Sequence, residues 1–154
     1  MDEKIIELKK GIKLHLIKTE LFKTNLACVI ITVPLKRETV TLNTLIPFLL
    51  KRGTNNLKTQ YEINDKLENL YGSTYDCGID KSGDNQVIKF YMEGINDKFL
   101  PGKEELLKQN LDLLFELVFK RFNPFSFICL TLSRVRLNFI AISSKLNACG
   151  MPIP

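Results

Sequence analysis

The stretch from Asn25 to Leu35, "NLACVIITVPL", limits this chain more than any other. It is rich in β-branched residues and almost unbroken in apolar character, which suits a central strand of a sheet. A central strand needs neighbours, and the sequence supplies them on both sides. Upstream, "IIELKKGIKLHLIKT" reads as two short strands about Lys10 and Gly11, with alternation in "IKLHLIK". Downstream, "STYDCGID" and "QVIKFYMEG" flank a Lys-Ser-Gly-Asp-Asn turn and read as a hairpin.

Between these strands the period changes to that of helices. A helix is expected from about Glu38 or Asn43 to Arg52, with Gly53 in the left-handed conformation that stops it. Pro47 is tolerable near the start of such a helix, where its missing N–H forfeits no bond. Thr59 and Glu62 form a capping box. Ile63, Leu67, Leu70 and Tyr71 then share one face, and Gly72 ends the helix. After Pro101 and Gly102 an amphipathic helix shows the stripe Leu107, Leu111, Leu114, Phe115 and Val118, and Pro124 bars its continuation. The order β-β-β-α-α-β-β-α, with hairpins instead of βαβ repeats, predicts an α+β fold: a sheet with helices packed on one face. Leu45, Phe48, Leu49, Leu67, Leu111, Leu114 and Phe115 are the expected core.

Charge divides the chain. All 17 acidic residues lie at or before Glu116, and none follows between Asn123 and Pro154. Residues 1–122 therefore read as one incomplete domain. Residues 123–154 read as an aberrant apolar tail, which either packs back on the body or arises from a frameshift; the abrupt loss of one charge sign favours the second. The net charge of +5 comes mainly from scattered lysines, so nucleic acid is not an expected partner. The start "MDEKIIELKK" has no apolar secretion segment, and no run reaches the ~18 apolar residues of a membrane span. Cys28, Cys77, Cys129 and Cys149 show no C-x-x-C spacing and read as thiols in a reducing cytoplasm. No membrane partner is expected.

Chemistry is scarce. A catalytic zinc needs three protein ligands, and the chain has one histidine, His15, in an alternating strand beside Lys13 and Ile17. The eight glycines form no phosphate-binding pattern. Glu104 and Glu105 read as charges in the first turn of the last helix. Asp76, Asp80 and Asp84 lie near the hairpin and read as turn solvation; they miss the calcium-loop pattern. No enzyme emerges from these residues, and no cofactor.

The layout nevertheless resembles a known family. A helix ending in Gly-Thr, a capped helix ending in "LENLYGSTYD" and a hairpin through "SGDNQVIKFYMEGINDKFL" resemble the insulinase/pitrilysin-type zinc metallopeptidases, over residues 1 to about 120. The resemblance is to the bacterial subgroup that lacks the zinc motif and is encoded beside an active relative. Active members carry H-x-x-E-H on the first helix, two zinc ligands and a general base. Aligning on Gly53 and Thr54 puts Thr44, Pro47 and Phe48 at those positions, with Phe48 expected to fill the metal cavity. The third ligand, a glutamate on a later helix, falls in the acid-free region.

The resemblance thus implies the N-terminal part of a non-catalytic homologue, without metal or cofactor, that is an accessory subunit to an active zinc peptidase in a hetero-oligomer. Two alternatives stand beside it. One is a metal-independent module binding peptides by strand addition to a sheet edge. The other is a non-functional fragment that exposes an unfinished sheet face.

Overall fold

The computed structural model describes residues 2–102, 104–120 and 136–143. Strands β1 (Asp2–Lys9), β2 (Ile12–Lys18) and β3 (Thr24–Pro34) lead into helices α1 (Val40–Leu50) and α2 (Gln60–Asn69). The hairpin β4 (Thr74–Ser82) and β5 (Asn85–Ile95) follows, then α3 (Leu106–Phe119) and β6 (Arg136–Ser143). Among the described residues the sheet has six strands in the order β1-β2-β6-β3-β5-β4. Only β2 and β6 run parallel among these pairs. This is the α+β architecture that the pattern predicts.

Helices gather on one face. Ala27, Val29, Ile31 and Val33 of β3 and Ile88, Phe90 and Met92 of β5 meet Leu50 of α1, Ile63 of α2 and the buried stripe of α3 in one cluster. Burial along β3 alternates strictly, so Leu26, Cys28 and Ile30 on the opposite face stay only half-buried. The near-continuous apolar character of β3 thus reflects its central place more than equal burial of its two faces.

Local signals in the sequence act as physics requires. Thr59 Oγ1 accepts from the Glu62 N–H at 3.2 Å, and Glu62 Oε2 accepts from the Lys58 N–H at 2.6 Å. The reciprocal box is present, though Glu62 reaches one residue further back than the pattern implies. The β4–β5 turn closes at Gly83, whose φ of +57° suits a residue without Cβ.

Several expectations are corrected. Gly53 has φ +152°, not the left-handed helical value. It is glycine because an added Cβ would lie 2.6 Å from the Lys58 carbonyl oxygen. Helix α1 starts at Val40, so Pro47 sits in its interior and forfeits the bond to the Asn43 carbonyl. Glu104 and Glu105 precede α3 instead of filling its first turn, and Glu104 Oε1 accepts from the Tyr71 hydroxyl at 2.9 Å. Tyr71 itself is 46% exposed.

The buried stripe of α3 is Leu106, Asn110, Leu113, Leu114, Leu117 and Val118. It is rotated about one residue from the expected stripe, leaving Leu111 and Phe115 half-buried. Adjacent leucines make both faces apolar, so the pattern alone does not fix the rotation. Asn110 fits inward because it packs on Gly94, where no Cβ competes for the space. Phe115 instead stacks with Phe119 at 5.8 Å and leans on Phe139 of β6 at 5.7 Å.

One segment of the expected tail, residues 136–143, packs back on the body. Arg136–Ser143 is an interior strand between β2 and β3, with Leu137 and Ala141 on the buried face. Leu137 pairs with Ile31 and Ala141 with Ala27, so its alternation matches the strand beside it. Residues 123–135 and 144–154 lie outside the described residues, as do Cys129 and Cys149.

Candidate functional site

Helix α1 crosses the sheet over β5 and beside the edge strand β4. Asn43, Pro47 and Leu50 face the sheet, one turn apart. What holds them there is polar. The buried Gln86 at the start of β5 accepts from Asn43 Nδ2 at 3.2 Å. Its Nε2 donates to Thr44 Oγ1 at 3.0 Å and to the Val40 carbonyl at 3.3 Å. Thr44 Oγ1 in turn donates to the Val40 carbonyl at 2.7 Å. A buried amide must be satisfied, and the rotation of α1 that satisfies Gln86 places Asn43 inward.

That rotation overturns the expected core. Leu45 is 50% exposed, Leu49 54% and Phe48 57%, so these three residues form a surface and fill no cavity. Leu114 is buried, whereas Leu67 is only partly covered. Of the three positions singled out by the resemblance, Thr44 is half-buried with its hydroxyl engaged, Pro47 is buried, and Phe48 points outward. None carries a group that ionises or ligates zinc well, so the residues present do not fit the metal of the active relatives. Among the described residues no group of three or more His, Cys, Asp and Glu stands where it could hold a metal ion.

The C-terminal end of α1 meets a polar cluster that sequence spacing does not reveal. Lys51 makes an ion pair with Asp76 of β4, and the Tyr91 hydroxyl donates to the other Asp76 oxygen at 2.9 Å. The Lys51 ammonium, with the Cys77 backbone N–H, holds the Asp76 carboxyl below its usual range. The same bond holds the Lys51 ammonium above its own. Asp80 pairs with Lys89. Asp76 and Asp80 thus serve separate cations instead of sharing one site. His15 Nδ1 lies 3.1 Å from Glu3 Oε1 across the β1–β2 pair, a strand-surface contact. Cys28 is a free thiol that burial pushes up to about 11. A void beneath α3, lined by Leu14, Val29, Leu114 and Phe139, measures about 10 Å³ and is too small for a ligand.

The geometry defines a class: a six-stranded sheet backed by helices, of the kind seen in pitrilysin-type peptidase domains. A conserved protein from Enterococcus faecalis superposes with TM-score 0.86 at 19% identity, over 96% of this chain and 50% of that one. An inactive peptidase domain from Pseudomonas fluorescens gives 0.55 at 15%, over 85% and 29%, and pitrilysin 0.53 at 15%, over 82% and 13%. At such identities these likenesses concern the fold. No family model matches the chain. The sequence likeness is to the probable inactive metalloprotease YmfF of Bacillus subtilis, 37% identical over 109 residues. The chain belongs to the insulinase/pitrilysin family of metallopeptidase-like proteins. The match covers 71% of this chain but only 26% of that relative, so the chain spans about a quarter of its length.

Proposed function

We propose that this chain is a non-catalytic member of its family and works as an accessory to an active, zinc-bearing relative in a hetero-oligomer. One observation carries the reading. At the positions aligned with the zinc motif stand Thr44, whose hydroxyl is already engaged by Val40 and Gln86, the buried Pro47, and Phe48. Without an ionisable group there, no water is polarised and no general base is available. The likeness to a relative named a probable inactive metalloprotease supports the same reading. The free Cys28 and Cys77 suit a reducing compartment, and we take the cytoplasm as its place.

The test is direct. The purified chain is dialysed against zinc, its metal content measured, and its action on unstructured peptides followed with and without a chelator. No stoichiometric zinc and no chelator-sensitive cleavage are expected, whereas both together would overturn the reading. Co-purification with an H-x-x-E-H-bearing relative from the same genome then tests the accessory role.

A second reading, peptide binding by strand addition, draws on the edge position of β4. Among the described residues that strand pairs with β5 on one side and ends the sheet on the other. Its other side, unpaired among the described residues, offers backbone donors and acceptors to an extended peptide. Binding of such peptides in the presence of chelator would favour this reading.

A further inference from the structure

The turn between β4 and β5 fixes what β4 shows on its outer side. Gly83 and Asp84 alone lie between the paired residues Ser82 and Asn85, and Gly83 takes a positive φ. The pair that closes such a two-residue loop exchanges hydrogen bonds, and bonded pairs then alternate with unbonded ones along the ladder. Counting back from Ser82, the backbone groups of Asp80, Gly78 and Asp76 turn to β5. Those of Lys81, Ile79, Cys77 and Tyr75 turn outward, away from it. An added strand bonds to every second residue of its neighbour, so it needs this outward row unbroken.

The row is broken at Cys77. Its N–H donates to Asp76 Oδ1 at 2.8 Å, which brings that oxygen to the rim of β4. Asp76 Oδ2 accepts from the Tyr91 hydroxyl on the face that the two residues share. The Lys51 ammonium bonds to the same Oδ1 as Cys77 does. Helix α1 packs on the opposite face of the sheet, with Ile88 and Phe90. The Lys51 side chain therefore passes round the rim of β4 to reach its carboxylate.

Ordinary surface pairing does not ask for this arrangement. Asp80 shares the face of Asp76, and it turns to Lys89 on the neighbouring strand. A lysine at the C-terminal end of α1 suits the helix dipole without crossing a strand. Cys77, moreover, is an inner member of the outward row, with Tyr75 before it and Ile79 after it. Closing that position divides the row in two, and an added strand would trap the Lys51 ammonium beneath it. Lysines and inturned charges are common means of guarding a sheet edge.

We propose that Lys51 and Asp76 form a latch that closes β4 to strand addition. An extended peptide is taken up only when the carboxylate leaves the Cys77 N–H, which then donates to a peptide carbonyl. The contact is autoinhibitory, and it rests on the reading of β4 as a peptide-binding edge.

Two measurements on the full chain separate the latch from that reading. The first is hydrogen exchange of the Cys77 amide, followed by NMR in wild type, Lys51→Met and Asp76→Ala. The second is anisotropy of a fluorescein-labelled, extended peptide rich in valine and threonine, titrated in the presence of chelator. Asp76→Ala should speed exchange at Cys77 about tenfold or more, and Lys51→Met about threefold. Both variants should bind the peptide about threefold to tenfold more tightly than wild type. Circular dichroism melts establish that each variant is folded. Exchange at Cys77 that neither substitution changes overturns the latch, whatever the peptide does. Equal binding of the peptide by all three chains also overturns it, while the edge reading stands. Faster exchange with no peptide bound by any chain overturns the gating, and the edge reading falls with it.

Discussion

Gly53 shows how one residue can be fixed by a contact far from its own helix pattern. The α1–α2 connection turns so tightly that a Cβ at Gly53 would meet the carbonyl oxygens of Lys58 at 2.6 Å and Leu57 at 2.8 Å. Backbone does not yield as a side chain does, and φ is +152° besides. Gly53→Ala should therefore cost about 2 kcal/mol or more, read from urea unfolding against wild type. Asp76 gives a residue-scale prediction in pH. Its folded carboxyl titrates below the ordinary value near 3.9 because Lys51 stabilises the charged form. The stabilisation is thus present above that ordinary value and is lost as pH falls through the folded one. Asp76 is 48% exposed in its side chain, so solvent screens the pair and the effect is modest. Asp76→Asn should flatten the acid limb of a stability profile below about pH 4, and an unchanged limb would refute the assignment.

Element by element, the sequence speaks clearly where one face is apolar and ambiguously where several are. Helix α2 has a capping box and a sparse apolar stripe, and it forms with Ile63 buried as expected. In α1, "VTLNTLIPFLL", leucines surround the axis and supply no single stripe to read. Gln86, 43 residues from Asn43, together with the core packing of Leu50, decides which side turns inward. A pair of substitutions separates the two sides. Leu50→Ala, at 5% exposure, should cost about 2–5 kcal/mol, whereas Phe48→Ser, at 57%, should stay within about 0.5 kcal/mol. Equal losses in chemical denaturation would mean that α1 packs the other way round. The candidate site was legible to the same extent as the helix. Thr44, Pro47 and Phe48 are the positions that alignment on the following Gly-Thr proposes. The engagement of Thr44 by Gln86 could not be read in this way, because it joins elements distant in sequence.

For the whole molecule, the largest difference between reading and structure is β6. A composition shift marked residues 123–154 as foreign, yet Arg136–Ser143 stands between β2 and β3. Removing an interior strand separates β1 and β2 from the rest of the sheet. A chain ending at residue 122 should therefore lose cooperative urea unfolding, monitored by circular dichroism. Retention of a sharp transition would show that the sheet tolerates the gap. By itself the sequence determined strands β1 to β5, the hairpin, the capping of α2 and the α+β layering, because these depend on period, turn chemistry and β-branching within a few residues. Tertiary structure alone decided the rotation of α1 and α3, the exposure of Leu45, Phe48 and Leu49, the Lys51–Asp76–Tyr91 cluster and the central place of β6. Each of these rests on a partner brought from far along the chain, and periodicity carries no information about partners at that distance.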